Sequence, residues 1–167
     1  MHAFFHLSAC TLPYGAYANL AIEGEMVVQI GHSNEVVAAF PTIELHHFVF
    51  RAPRKTLAEL IANNGINAGV VIPQDSKVMP LGGWMTARTL SISINGAVID
   101  TGALWAMPGG PMDLLDWLRS NLDRCGESLK PGDIVLAGTP LGLHPVGPGD
   151  HIVVSVDGKA CVDCRIA

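Results

Sequence analysis

Glu23 and Glu25 stand two residues apart in Ala21-Ile22-Glu23-Gly24-Glu25-Met26-Val27-Val28, a spacing that puts both carboxylates on one face if the segment is a strand. Like charges so close repel. The pair persists where water solvates it, where one proton is shared, or where a divalent cation lies between. Spacing alone favours solvation. Glu44 shifts the balance, because it sits inside the apolar run Phe40-Pro41-Thr42-Ile43-Glu44-Leu45, where an unpaired charge is costly to bury. Three acids supply half an octahedron of oxygen donors. That set suits a hard ion such as Mg²⁺, Mn²⁺ or Ca²⁺, with water and a bidentate ligand filling the other positions.

A second block runs Ser128-Leu129-Lys130-Pro131-Gly132-Asp133-Ile134-Val135-Leu136-Ala137-Gly138-Thr139-Pro140-Leu141-Gly142 and is followed by Pro148-Gly149-Asp150. A Pro-Gly-Asp turn feeds an apolar strand that ends in Gly138, Thr139 and Pro140, where small residues let backbone N–H groups and one hydroxyl approach a carboxylate-bearing ligand. A plain turn after a strand accounts for the same residues equally well.

The elements that must hold these groups are mostly strands: 25–31, 42–50, 68–72, 86–94, 98–104, 134–138 and 152–156 are β-branched or alternating. Asn95-Gly96 and Asp157-Gly158 predict two-residue hairpin turns. Thr56-Leu57-Ala58-Glu59 is a capping box that opens a short helix ending by Asn63-Asn64-Gly65. Pro111 opens a second helix carrying Leu114, Leu115, Leu118, Leu122 and Cys125 on one stripe before Gly126 ends it. The pattern predicts an α+β domain of curled sheets with two short helices.

Composition limits what such a domain does. The 167 residues predict one domain, with 1–15 as an N-terminal arm and 16–167 as the core. Hydrophobic residues make up 49 % and charged residues 15 %, with mean hydropathy +0.35, which excludes general disorder. A net charge of −5 leaves no basic stripe for nucleic acid or an anionic membrane, so small molecules and copies of the same chain are the expected partners. Gly, Pro or charge interrupts every apolar run short of a bilayer span. Leu7 to Cys10 imitates a lipoprotein cleavage site but has no Lys or Arg ahead of it, so a cytoplasmic location is expected. Four cysteines are too few for a disulfide framework, and Cys161-Val162-Asp163-Cys164 points its two thiols to opposite faces of a closing strand.

Leu129 to Pro140 with Pro148-Gly149-Asp150 resembles the C-terminal signature of the fumarylacetoacetate hydrolase superfamily, and Glu23, Glu25 and the Pro-x-Ile-Glu around Glu44 resemble its three metal carboxylates. Leu60-Ile61-Ala62-Asn63-Asn64 followed by Val70-Val71-Ile72 is most similar to the 2-keto-4-pentenoate hydratase branch. The resemblance covers roughly residues 15 to 166. It implies a mixed β-roll or sandwich holding Mg²⁺ or Mn²⁺ on Glu23, Glu25 and Glu44, and a 2-oxo acid whose carboxylate is positioned by Gly138, Thr139 and Pro140. The implied reaction is hydration of a 2-hydroxy-2,4-dienoate, as in aromatic-compound catabolism. The alternatives are acylpyruvate-type C–C hydrolysis, decarboxylation, or a non-catalytic core that binds 2-oxo acids. Apart from the resemblance, so few charges over so apolar a composition predict a homo-oligomer, dimer or higher.

The departures from the branch bear on proton transfer. Hydratases of this kind carry a lysine in a further N-terminal segment, and this sequence is expected to lack it. Lys77, in the loop Gln74-Asp75-Ser76-Lys77, is the one flexible lysine, either a catalytic stand-in or simply a solvated loop side chain, since a working base needs burial to lower its pKa. His46, two residues after Glu44 on the same strand face, is a substitute proton carrier by its ordinary pKa, or a packed imidazole. Ile66 occupies a substrate-side position where many hydratases have a serine. Asn64 is placed either to orient the ligand or simply to end the helix.

Overall fold

Two tight turns set the first strand pairings. In the computed structural model, which describes residues 5–50, 56–74 and 78–167, Asn95 and Gly96 lie at φ 53° and 83°, and Asp157 and Gly158 at φ 46° and 73°. This is the left-handed pair that a type I′ loop requires. The strands in chain order are β1 (Phe5–Leu7), β2 (Cys10–Leu12), β3 (Leu20–Ile30), β4 (Val36–His47), β5 (Asn67–Ile72), β6 (Thr89–Ile94), β7 (Ala97–Ala103), β8 (Ile134–Leu136), β9 (His144–Pro145), β10 (His151–Val156) and β11 (Lys159–Ile166). The two predicted hairpins are β6–β7 and β10–β11. They join through β10 and β6 into a sheet of order β2-β11-β10-β6-β7, while the other sheet runs β1-β5-β4-β3-β8 with β9 also on β3. Residues 5–12, set apart in the sequence as an arm, give one strand to each sheet, both in parallel pairings.

Several boundaries move. β3 and β4 begin well before the predicted 25 and 42, because Leu20–Ile22 and Val36–Phe40 continue the same antiparallel ladder. β8 stops at Leu136 instead of Gly138, where a φ of 75° leaves the extended region. The first helix, α1 (Leu57–Ala62), has the predicted capping box: Glu59 N donates to Thr56 Oγ1 at 3.3 Å and Thr56 N to Glu59 Oε2 at 2.7 Å. The second, α2 (Gly110–Arg124), buries Leu115 and Pro111, half-buries Leu114, Leu118 and Leu122, and leaves Cys125 exposed at its end. The stripe is therefore narrower than predicted. Trp84 is buried with its Nε1 donating to Ala39 O at 2.8 Å, whereas Trp117 lies on the exposed side of α2.

The core fills the space between the sheets. Ile22, Met26 and Val28 of β3 meet Ile92, Ile152 and Val154 of the second sheet in one apolar cluster. A Cβ on Gly24 would sit 2.8 Å from Ile92 Cγ1 and 3.0 Å from Val154 Cγ2, so only glycine lets the sheets close here. Among the described residues, no helix is long and apolar enough to cross a membrane.

Candidate metal centre

The β3–β4 hairpin fixes the site. Its loop is closed by Gly31 N donating to Glu35 O at 2.8 Å, and the resulting register places Glu23 opposite Glu44, Glu25 opposite Thr42 and Ala21 opposite His46. Strand alternation then gathers Glu23, Glu25, Glu44 and His46 on the face turned away from the second sheet, while Ile22, Gly24 and Met26 go to the core. A bulge between Leu45 and His46 in the β4–β5 ladder pairs His46 with Asn67, and such a bulge re-aims the side chain it carries.

The imidazole stands between two carboxylates. His46 Nε2 is 3.4 Å from Glu23 Oε2 and 3.3 Å from Glu44 Oε2, at ion-pair distance, and neither ring nitrogen makes a geometrically sound hydrogen bond. Burial alone would lower the His46 pKa, but the two carboxylates reverse this and hold the ring as a cation up to about 9. Burial pushes Glu44 up, and the neighbouring His46 cation and the Asn67 donor more than offset it, leaving Glu44 below the usual carboxylate range. Asn67 Nδ2 donates to Glu44 Oε1 at 2.6 Å. Glu25, 1 % exposed, goes the other way. Burial first, and then the neighbouring Glu44 and Glu23 charges, push its carboxyl up to about 9, and its Oε1 has no hydrogen-bond donor.

One ligand atom each from Glu23, Glu44 and His46 lie within 4.8 Å of one another. Glu25 stands beside this trio with a buried acceptor that only a proton or a cation can satisfy. The donor set fits a divalent ion. Of these donors Glu44 also lines a cavity of about 220 Å³, together with Phe5, Asn64, Asn67, Val70, Ile134 and Leu136.

Of the other residues singled out from sequence, Asn64 lines this cavity at φ 54°, and Ile66 is buried outside it at φ 63°, a conformation that strains a β-branched residue. Gly138, Thr139 and Pro140 are not among the cavity-lining residues. Thr139 instead braces the site from behind, its hydroxyl donating to Gly24 O at 2.6 Å and accepting from Leu141 N at 2.9 Å. Its one proton is thus committed to the backbone between the two glutamates. Lys77 lies outside the described residues. Sequence reasoning passed over Asn67. Its signal was one amide at the head of the otherwise apolar run Ala68 to Ile72.

Residues 57–167 match the family model described as fumarylacetoacetate (FAA) hydrolase C-terminal. That span excludes β3 and β4, so the carboxylate face rests on geometry. The chain is 27 % identical over 104 residues to 2-keto-4-pentenoate hydratase of Paraburkholderia xenovorans (strain LB400), covering 62 % of this chain and 38 % of the relative. It is 28 % identical over 141 residues to 4-oxalocrotonate decarboxylase of Pseudomonas sp. (strain CF600), covering 80 % and 52 %. It thus spans about half or less of these curated relatives' lengths. The solved structure of 4-oxalocrotonate decarboxylase from Pseudomonas putida G7, complexed with magnesium and adipate, superposes with TM-score 0.87 at 20 % identity, over 98 % of this chain and 66 % of that one. Fumarylpyruvate hydrolase from Pseudomonas aeruginosa, in complex with Mn²⁺ and pyruvate, gives TM-score 0.66 at 16 % identity, over 99 % and 74 %. The α+β architecture of mixed sheets with two helices is the one these proteins share.

Proposed function

Because the chain belongs to the fumarylacetoacetate (FAA) hydrolase C-terminal family, we propose that it is the core of a divalent-metal-dependent enzyme acting on small 2-oxo acids, hydration of a 2-hydroxy-2,4-dienoate being the first reaction to test. The observation that carries this is the acid face itself: Glu23, Glu25 and Glu44 share one face of the β3–β4 hairpin, and the cavity that Glu44 lines has no Lys or Arg among its described lining residues. An anionic substrate enters such a site only with a cation to offset the charge. Glu23, Glu25 and Glu44 would hold that ion, Mg²⁺ or Mn²⁺, which supplies Lewis acidity at the substrate's oxo and carboxylate oxygens.

The chain's own side chains do the rest. Asn67 fixes Glu44 through its 2.6 Å hydrogen bond, and Asn64 offers an amide to the cavity. Phe5, Val70, Ile134 and Leu136 make apolar walls that keep water from competing for polar contacts. A volume of about 220 Å³ is below the roughly 300–1,000 Å³ of pockets for drug-sized ligands, which matches a short-chain acid. Decarboxylation of a related oxo acid is the second reading, favoured by the 80 % of this chain that aligns with 4-oxalocrotonate decarboxylase.

The test is loss of the ultraviolet absorbance of a conjugated dienol acid on adding Mg²⁺ or Mn²⁺, with Glu23→Ala inactive. Turnover that survives a chelator removes the proposal. Carbon dioxide release without hydration selects the second reading. We carry self-association with this reading, since α1 buries none of its residues and leaves Leu57 and Ile61 exposed. Elution at 17.7 kDa on a sizing column would remove it.

A further inference from the structure

We infer that His46 is itself a ligand, so that the centre is a mixed carboxylate–imidazole site that ranks first-row transition ions ahead of Mg²⁺. The inference rests on the reading of Glu23, Glu25 and Glu44 as ion-holding groups and adds to it the fourth donor and the class of metal. Three observations carry it. His46 is 6 % exposed, and neither ring nitrogen makes a geometrically sound hydrogen bond, so a buried imidazole faces the acid cluster with only ion-pair contacts to its carboxylates. Its Nε2 lies 3.4 Å and 3.3 Å from the nearest oxygens of Glu23 and Glu44. Two donors held at about 2.1 Å from one ion are themselves roughly 3.0–3.4 Å apart. The bulge at Leu45/His46 is the third: it interrupts the β4–β5 ladder at the residue that carries the ring, the kind of irregularity that re-aims a side chain.

The alternative role, proton carrier, fits the surroundings less well. A relay needs one nitrogen to take a proton and a route by which the ring gives it up, and Nδ1 here is buried without an acceptor. A ligand needs only the lone pair of Nε2. An N–H cannot point at a dication, so the nitrogen that meets the ion does so through that lone pair. Three carboxylates and one imidazole leave two of six octahedral positions, the number that the carboxylate and oxo oxygens of a 2-oxo acid occupy together. Imidazole is a borderline donor that suits Mn²⁺, Fe²⁺, Co²⁺ or Zn²⁺, whereas Mg²⁺ takes oxygen.

The experiment is pulsed electron paramagnetic resonance of the unmodified protein loaded with Mn²⁺, in parallel with calorimetric titration by Mn²⁺, Co²⁺ and Mg²⁺. The expected result is ¹⁴N modulation from one coordinated imidazole, absent in His46→Gln. That variant should lose Co²⁺ affinity by about tenfold or more while Mg²⁺ affinity moves by less than about threefold. His46→Asp supplies an oxygen in the same place. It should bind Mn²⁺ without ¹⁴N modulation, which separates loss of the ligand from loss of the fold. Bound Mn²⁺ with no ¹⁴N signal in the unmodified protein, or a signal that survives His46→Gln, overturns the assignment and leaves the metal-dependent reading standing. No binding of any of the three ions overturns both.

Discussion

Replacing Glu25 by glutamine should make the metal-free protein more stable at neutral and mildly alkaline pH. The carboxyl is 1 % exposed and is pushed from 4.5 to about 9, by burial first and then by the charges of Glu44 and Glu23. Between those values the folded chain keeps the Glu25 proton and the unfolded chain has lost it. The native state therefore binds more protons, and stability falls as pH rises, by roughly 1.4 kcal/mol per unit. At pH 7 the accumulated cost is about 3 kcal/mol. Glutamine has nearly the same shape and is neutral at every pH. In the presence of a chelator, urea unfolding from pH 5 to 8.5 should find Glu25→Gln increasingly more stable than the native protein, with the gap closing toward pH 4.5. The His46 cation, held up to about 9 from 6.5, adds stability that is full below 6.5 and is lost as pH rises through 9. It acts alike in both proteins and cancels from the difference. Excess Mn²⁺ should then reverse the ranking, because the native carboxylate gains a ligand that glutamine cannot hold as well. Parallel pH curves in chelator, or a glutamine variant less stable at pH 8, would refute the claim that Glu25 is held neutral.

Other perturbations test the frame around the site. Thr139→Val removes the hydroxyl that bridges Gly24 O at 2.6 Å and Leu141 N at 2.9 Å, and should cost about 1–3 kcal/mol in urea unfolding together with weaker ion binding by calorimetry. Asn67→Ala frees Glu44 Oε1 from its 2.6 Å partner and should lower divalent-ion affinity by roughly 10–100-fold with little change in melting temperature; an unchanged affinity would mean that the amide does not orient the ligand. In Gly24→Ala the new methyl meets Ile92 Cγ1 at 2.8 Å, and overpacking of this kind should cost about 1–3 kcal/mol, read as a lowered melting temperature.

What was legible in the sequence was local. Asn-Gly and Asp-Gly tolerate positive φ, so the β6–β7 and β10–β11 hairpins could be read from dipeptides alone. Thr56 and Glu59 cap each other across three residues, and Glu23 and Glu25 share a face because side-chain direction in a strand repeats every two residues. Glu44 was legible as the third acid because it is a charge inside an apolar run, and the long β3–β4 register then set it directly opposite Glu23.

The rest depended on contacts between segments far apart in the chain. Nothing in Gly138-Thr139-Pro140 announces that the hydroxyl will be taken by Gly24, 115 residues away, and the same residues in an open turn would face a ligand. Asn67 reaches Glu44 only because β5 lies beside β4 with a bulge at His46. Opposite protonation states for Glu25 and Glu44, two side chains of one type, follow from burial and neighbouring donors, and no local pattern carries either. Spacing along a strand fixes which way a side chain points. What it meets there, and the charge it then keeps, is decided by how the sheet curls and which distant strands close over it.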